Sequence, residues 1–123
     1  MVDLYPLERA ILDAIAERHP KHASALRAQL SSADVCSREN TGAGFFVRFS
    51  VPVGAPPIYL AETDDYPLSG PKAQVDGMKY GMGFVLWLAD GNADVLEGFD
   101  FGSPDSTIGI DFANVGYAIQ GVS

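Results

Sequence analysis

Apolar residues near the amino terminus recur at steps of three and four positions, with charged residues between them. The recurring apolar positions are Leu4, Leu7, Ile11 and Ile15. This spacing predicts an amphipathic α-helix that buries one face and turns the other, which carries Glu8, to solvent. Asp3 is expected to cap this helix, and Pro20 to end it, because the residue before a proline disfavours helical geometry. A second helix is predicted over residues 20–30.

From Ala33 onward apolar and polar residues alternate, which is the period of a β-strand. Predicted strands cover residues 35–40, 45–51, 58–61, 73–75, 107–112 and 115–119, together with the two strands of a hairpin within residues 84–102. Two helices followed by about six or seven strands predict an α+β fold with a mostly antiparallel sheet. No linker or repeat divides residues 1–123, so the chain is expected to form a single domain.

The hairpin within residues 84–102 has the clearest local signal in the chain. An apolar run over 84–88 precedes the dipeptide Asp90-Gly91, and glycine adopts the positive φ that a tight hairpin turn requires. The apolar run predicts a strand that is buried on both faces. The returning strand alternates, and Gly98 within it indicates a bulge or the close approach of another backbone.

Composition narrows the class of protein. The 123 residues contain no apolar run near the length of a transmembrane helix, and the amino terminus lacks the basic and apolar segments of a secretory signal. Cys36 is the single cysteine, which excludes an internal disulfide and is typical of a reducing compartment. We therefore expect a cytoplasmic protein in which Cys36 is a small buried residue.

The net charge of −8 is concentrated in the second part of the chain. Residues 51–123 contain two basic and ten acidic side chains, whereas residues 1–50 contain six of each. A negative field of this kind repels phosphate backbones and anionic lipids, so nucleic acid and membrane surfaces are not expected partners. The field favours a basic protein or a metal ion, and it is equally typical of acidity that serves solubility alone.

Three segments carry a resemblance to a known group of proteins. They are GAGFFVRFSV over residues 42–51, GMGFVLWLADG over 81–91 and LEGFDFG over 96–102. The chain resembles a family of small uncharacterised bacterial proteins that share a Gly-Phe-Phe strand, a Gly-x-Gly-Phe strand and a Leu-Glu-Gly-aromatic-x-aromatic-Gly motif. The family has no established activity, so the resemblance implies an architecture and no reaction. Phe99 and Phe101 stand where tyrosine is expected in many members, which argues against a role for a phenol hydroxyl.

The residue combinations that carry out catalysis or bind metals in other proteins are incomplete in this chain. His19 and His22 are three residues apart, but Pro20 separates them and the chain has no second ligand pair. No metal site and no cofactor are therefore predicted. No nucleophile motif is complete, so no catalytic residue is assigned.

Charged residues within apolar strands are the strongest candidates for a functional site. Arg48 and Glu97 each lie in a predicted strand of apolar residues, where an unpaired charge is costly, so we expect the two to form an ion pair. Such a pair either specifies the fold or forms the floor of a ligand site. The candidate binding residues are Phe46, Arg48, Trp87, Glu97 and Asp100.

Three hypotheses for the function are open at this point. The first is a binding or interaction protein, such as a toxin-neutralising or adaptor protein, whose acidic surface engages a basic protein partner. The second is a small enzyme in which Glu97, Asp100 or the acids within residues 62–65 act with a divalent cation. The third is a small-molecule carrier whose pocket is lined by the candidate residues other than Asp100. An open sheet also has edge strands, so self-association, for example as a homodimer, is expected.

Overall fold

The computed structural model describes residues 4–102 and 105–120, and two helices lie at the start of the described chain. They are α1 (Pro6–Arg18) and α2 (Ala23–Ser32). Of the predicted apolar stripe, Leu7, Ile11 and Ile15 are buried and Leu4 is half-buried; Leu12, which was not part of the prediction, is buried as well. Asp3, the expected cap, lies outside the described residues. Residues 20–22, predicted as the start of the second helix, form a turn that precedes α2. Neither described helix has the length and apolarity to cross a bilayer.

Seven strands follow the helices in the described residues and form one sheet. They are β1 (Asp34–Asn40), β2 (Gly44–Ser50), β3 (Leu68–Ser69), β4 (Ala73–Val75), β5 (Met82–Ala89), β6 (Asn92–Asp100) and β7 (Tyr117–Ile119). The strand order is β1-β2-β6-β5-β4-β7, and β3 pairs with β5. Every described pairing is antiparallel. The predicted α+β fold, with two helices followed by a mostly antiparallel sheet, is confirmed.

Strands β5 and β6 form the predicted hairpin. At its turn Asp90 has a φ of 51° and Gly91 a φ of 81°, the two positive angles of a turn whose twist matches that of the flanking strands. The prediction that residues 84–88 are buried on both faces is wrong, since Phe84 is buried but Trp87 is 36 % exposed. β5 therefore has one face in the core and one face toward solvent.

Two glycines bring β2 and β6 into close contact. Gly98 faces the Phe45 ring, and a Cβ atom at Gly98 would lie 2.6 Å from Phe45 Cε2, well inside van der Waals contact. A Cβ atom at Gly44 would collide with the Gly98 carbonyl oxygen. The close approach predicted at Gly98 is confirmed, whereas the register irregularity of the hairpin lies between Trp87 and Leu88.

Two of the predicted strands are loops in the structure. Residues 58–61 follow a proline-rich segment and form no strand; the Ile58 N–H instead donates to the Gly91 carbonyl oxygen at 2.8 Å and fixes this loop to the hairpin turn. Residues 107–112 form turns, and Gly109 within them has a φ of 81°. A residue at positive φ interrupts the extended geometry that a strand needs, so alternation alone was misleading in this segment.

The sheet has an inner face toward the helices and an outer face away from them. Cross-strand register places Val47, Leu96 and Leu86 in one row, and all three belong to the core cluster to which both helices contribute. Successive side chains of a strand point to opposite faces, so the positions between these residues point outward. The outer face includes two rows that matter for the candidate site, Phe46, Glu97 and Val85 in one and Arg48, Val95 and Trp87 in the other.

Candidate functional site

The outer face brings together four of the five candidate binding residues. Phe46 and Arg48 lie on β2, Trp87 on β5 and Glu97 on β6. Phe46 is directly opposite Glu97, and Arg48 shares a row with Trp87 through Val95. Residues two apart in a strand share a face, so the antiparallel register alone makes these side chains neighbours.

A cleft of about 490 Å³ opens on the outer face, and we call it the outer cleft. Its aromatic and charged lining residues are Phe46, Tyr66, Trp87, Glu39, Arg48 and Asp94. Its volume falls in the range of small-ligand pockets, roughly 300–1,000 Å³. The outer cleft therefore combines ring surfaces with charged groups in a space large enough for a side chain or a small molecule.

Trp87 is held in place by two neighbours. Its indole Nε1–H donates to Glu97 Oε1 at 3.0 Å, and the Tyr66 ring packs edge-on against it with 5.7 Å between the ring centroids. Tyr66 is itself fixed, because its hydroxyl donates to the Leu88 carbonyl oxygen and accepts from the Leu88 N–H. Indole has one hydrogen-bond donor and no acceptor, so the group that Trp87 still offers to a ligand is its ring.

The predicted ion pair between Arg48 and Glu97 is wrong. Arg48 Nη1 lies 3.6 Å from Asp94 Oδ1, and the Glu97 carboxylate accepts from Trp87 instead. The register explains the difference, since Arg48 is paired with Val95 and lies one row away from Glu97. The side chains of Arg48 and Asp94 are 57 % and 34 % exposed, so their ion pair stabilises the fold by less than about 1 kcal/mol.

Carboxylates outnumber basic groups around the outer cleft. Glu39 and Asp94 line it, Glu97 lies beside it through its bond to Trp87, and Arg48 is the basic residue of the lining. Glu39 is exposed and forms no ion pair with a described residue. The local field at the outer cleft is therefore negative, and an incoming positive group meets one carboxylate that forms no ion pair with the described residues.

Asp100, the fifth candidate residue, is not part of the outer cleft. It is paired with Met82 at the end of β6, and alternation along β6 points its side chain away from the side of Glu97. Its Oδ1 atom is buried and has no hydrogen-bond partner among the described residues. The structure thus separates Asp100 from the other four candidate residues.

The acidic segment 62–65 lies apart from the outer cleft and fixes a loop. Asp64 accepts hydrogen bonds from the Ala61 N–H at 2.7 Å, from His22 Nε2 at 3.2 Å and from Lys21 Nζ at 3.3 Å. The Ala61 N–H, with smaller contributions from the other two donors, lowers the pKa of Asp64. Among the residues that the structure describes, no group of three or more histidine, cysteine, aspartate or glutamate side chains is arranged to hold a metal ion.

The two histidines have separate structural contacts. His19 Nε2 donates to the Ser69 carbonyl oxygen at 3.0 Å, whereas His22 donates to Asp64. His19 follows α1 and His22 precedes α2, so the two rings do not share one helical face. The His19 ring joins the end of α1 to β3, and the His22 ring joins the start of α2 to the loop that contains Asp64.

Cys36 is exposed, and the prediction that it is buried is wrong. It lies in β1 at a register irregularity between Val35 and Ser37. At such a bulge one strand contains an extra residue, whose side chain leaves the regular alternation and need not enter the core.

A buried ion pair on the inner side of the sheet was not indicated by the sequence. Glu8, expected on the exposed face of α1, is only 3 % exposed, and Arg38 Nε and Nη2 each donate to its carboxylate at 2.9 Å. Glu8 also accepts from the Tyr5 N–H at 2.9 Å, and the Arg38 guanidinium lies 3.7 Å from the centroid of the Tyr5 ring. The pair borders a second cleft, of about 280 Å³, together with Asp111 and Phe112. We interpret it as structural because the carboxylate is satisfied on both oxygens by the chain itself.

Three aromatic or charged residues of the outer cleft are not among the sequence-based candidates. Tyr66 lies in a loop whose path no periodicity defines. Glu39 is an outward position of a strand that was predicted, and Asp94 is the unpaired residue at the register irregularity of β6. Alternation could have identified Glu39, but its place at the same cleft as Asp94 depends on a strand pairing between distant parts of the chain.

Comparison with known proteins identifies no relative. The chain matches no protein-family model, no curated protein and no solved structure. The resemblance to the family of small bacterial proteins therefore stays a prediction, and the interpretation of the site depends on its geometry.

Proposed function

We propose that this protein is an interaction module that binds a basic protein partner through its outer face. The observation that carries the proposal is the outer cleft, where the rings of Phe46, Tyr66 and Trp87 lie beside an excess of carboxylates. Aromatic residues are enriched at the centres of protein interfaces, where they supply most of the binding free energy. The helices pack on the inner face, which leaves the outer face as the broad side of the sheet for a partner.

The charge of the chain supports a basic partner rather than a neutral one. Carboxylates at the rim of an interface accelerate the association of a positively charged protein and fix its orientation, even where each pair adds little affinity. The second part of the chain, which supplies Trp87, Asp94 and Glu97, contains ten acids and two basic residues. Binding is therefore expected to weaken as salt screens these charges.

A pair of double variants tests whether the outer face, and not net charge alone, binds the partner. We would measure binding of a fluorescein-labelled oligo-arginine peptide by anisotropy, with Asp94→Asn/Glu97→Gln compared against Asp13→Asn/Glu17→Gln. Both doubles remove two negative charges from the net −8, but Asp13 and Glu17 are exposed residues of α1, on the other side of the sheet. Glutamine at position 97 keeps an oxygen that can accept from Trp87.

The proposal expects a clear loss of affinity for the outer-face double variant and little change for the helix double variant. Equal losses in both would mean that the peptide senses only the overall charge, and the proposed binding face would be wrong. Retained binding in the outer-face variant would have the same consequence. Circular dichroism of each variant checks that the fold is intact.

The size of the outer cleft supports a second candidate function, a small-molecule carrier. The cleft of about 490 Å³ is lined by three of the four residues assigned to such a pocket, Phe46, Arg48 and Trp87, and the fourth, Glu97, is bonded to Trp87. A thermal-shift screen of metabolites tests this candidate. A saturable rise in melting temperature that Trp87→Ala abolishes would favour a carrier over a protein-binding module.

Self-association through a strand edge is a further proposal. β1 and β7 end the strand order and pair on one side only. β1 contains Asp34, Arg38, Glu39 and a bulge at Cys36, features that weaken pairing between the edges of two copies. We therefore place any homodimer contact at β7. The Gln120 N–H donates to Lys72 and the Gly116 carbonyl accepts from Asp76, so the N–H of Ile119, between them in the alternation, faces the open edge of β7. Ile119→Pro removes that donor, and a dimer that survives Ile119→Pro in sedimentation would contradict this placement.

A cytoplasmic location is inferred from the thiol. Cys36 is free and exposed, a state that persists in a reducing compartment. Cell fractionation, with the protein detected by immunoblot, tests this location, and recovery outside the cytoplasmic fraction would contradict it.

A further inference from the structure

The aromatic residues of the outer cleft offer a ligand their ring surfaces. The Trp87 indole N–H already donates to Glu97, and the Tyr66 hydroxyl is engaged by the Leu88 backbone. Phe46 has no polar atom to offer. Aromatic rings with no free polar atom bind apolar groups or cations through their faces, and indole attracts cations more strongly than phenol or phenyl rings.

The carboxylates of the outer cleft select a cation over an apolar group. Glu39 is paired in register with Phe46, which places the two Cβ atoms roughly 4.5–5.5 Å apart. A cation seated against the rings therefore reaches a carboxylate at the same time. An apolar ligand would instead remove water from Glu39 and Asp94 without replacing their hydrogen bonds, which is unfavourable.

The outer cleft already contains one guanidinium, and it holds that group weakly. Arg48 Nη1 lies 3.6 Å from Asp94 Oδ1, whereas a strong charge-assisted hydrogen bond has a length of about 2.7–2.9 Å. The Arg48 side chain is 57 % exposed, so it can move into solvent at low cost. Asp94 is thus neutralised from within the chain by a group that a better-placed cation can replace.

We propose that the outer cleft receives an arginine side chain of the basic partner, which displaces Arg48 from Asp94. This inference rests on the proposed function and adds to it the recognised group and an internal competitor for it. A guanidinium is planar, so it stacks on the Trp87 ring while its fork of N–H donors reaches Asp94, which precedes the residue paired with Trp87. A lysine ammonium gains the charge interaction without the flat stacking, and binds more weakly.

The single tryptophan makes the outer cleft directly observable. Trp87 is the only tryptophan of the chain, so its fluorescence and its one indole N–H resonance report on this cleft alone. We would titrate the full chain with acetyl-Gly-Arg-Gly-amide, with the lysine analogue, and with the citrulline analogue, which has the shape of arginine but no charge. The arginine peptide should shift the indole resonance saturably, the lysine peptide should shift it less, and the citrulline peptide should not shift it.

Two charge variants test whether Arg48 competes with the incoming guanidinium and whether Glu39 attracts it. Removing the competitor in Arg48→Gln should tighten binding of the arginine peptide roughly twofold to fivefold, the range that a weak surface ion pair allows. Arg27→Gln is the matched control, since Arg27 is an exposed arginine on α2 and its loss changes the net charge equally. Glu39→Gln should weaken binding, and Tyr59→Ala, which removes an exposed aromatic residue outside the cleft, should leave it unchanged.

Several results would overturn the inference. Weaker binding of the arginine peptide in Arg48→Gln would mean that Arg48 supports the site and does not compete with the incoming guanidinium. An equal response to the citrulline peptide would mean that charge is not recognised. If the oligo-arginine peptide binds with the predicted dependence on Asp94 and Glu97 but the Trp87 indole resonance stays in place, the proposed function stands and this inference is wrong. If neither peptide binds, both are wrong.

Discussion

Removing the guanidinium of Arg38 should destabilise the fold more than an ordinary surface substitution. In Arg38→Met the side chain keeps its aliphatic stem, but the Glu8 carboxylate, which is 3 % exposed, loses the two donors at 2.9 Å. The Tyr5 N–H stays as a donor to Glu8. A largely buried carboxylate that has lost its counter-charge is unfavourable, because one remaining N–H donor compensates only part of its charge.

The expected magnitude follows from the burial of the pair. Breaking a fully buried ion pair by removing one partner costs about 3–5 kcal/mol. The Arg38 side chain is 25 % exposed, so water reaches the broken pair and we expect a loss of about 2–3 kcal/mol in the free energy of unfolding. In a domain of 123 residues this corresponds to a melting temperature lower by roughly 10 °C.

Urea unfolding followed by far-ultraviolet circular dichroism measures the effect. Arg9→Met is the matched control, because Arg9 is an exposed arginine one residue from Glu8, and its cost should stay below about 0.5 kcal/mol. Glu8→Gln and the double variant complete a thermodynamic cycle, from which we expect a coupling of about 1–3 kcal/mol. A cost for Arg38→Met as small as that for Arg9→Met would refute the reasoning that a buried pair joins α1 to β1.

Gly98→Ala should cost about 1–3 kcal/mol in urea unfolding, because the new Cβ atom meets the Phe45 ring; an unchanged midpoint would mean that the ring moves aside freely. The Ala61 N–H lowers the pKa of Asp64 in the folded state. Asp64 therefore stabilises the fold at pH values above its ordinary pKa of 3.8, and this stabilisation is lost as the pH falls through the lowered pKa of the folded state. The stability difference between wild type and Asp64→Asn should accordingly shrink in acid, and a difference independent of pH would contradict this. Cys36 should react with a thiol reagent in the native protein, whereas protection until unfolding would contradict its exposure.

Local chemistry was sufficient to predict the parts of the fold that depend on neighbouring residues. The Asp90-Gly91 turn and the alternation of β2 are such features, since turn geometry and strand period involve only a few residues in sequence. The segment 58–61 was misread for a physical reason. Ile58 is buried, as the alternating pattern suggests. It is held there by a loop whose backbone is hydrogen-bonded to Gly91, and not by a strand. A buried strand residue and a buried loop residue give the same apolar position in the sequence.

Long-range pairing accounts for most of what the sequence did not reveal. The register between β2 and β6 decides whether Arg48 contacts Glu97 or Asp94. A shift of one residue would change that contact, and no local feature of the sequence sets the register. Glu8 and Arg38 come from a helix and an edge strand whose docking angle is a tertiary property. β3 has two residues, too few to display any period.

The strand order has a consequence for when the outer cleft exists. β1 and β2 form one hairpin that is local in sequence, β5 and β6 form another, and the pairing of β2 with β6 joins them. The outer cleft spans this seam, with Arg48 on one hairpin and Trp87 and Asp94 on the other. Neither hairpin alone contains the whole cleft, so a nascent or partly unfolded chain would offer the proposed partner only part of the site. A partner that contacts both hairpins would bind the folded sheet and not the unfolded chain, and would therefore stabilise the folded state by mass action. Binding of that partner would then indicate that the two hairpins have paired.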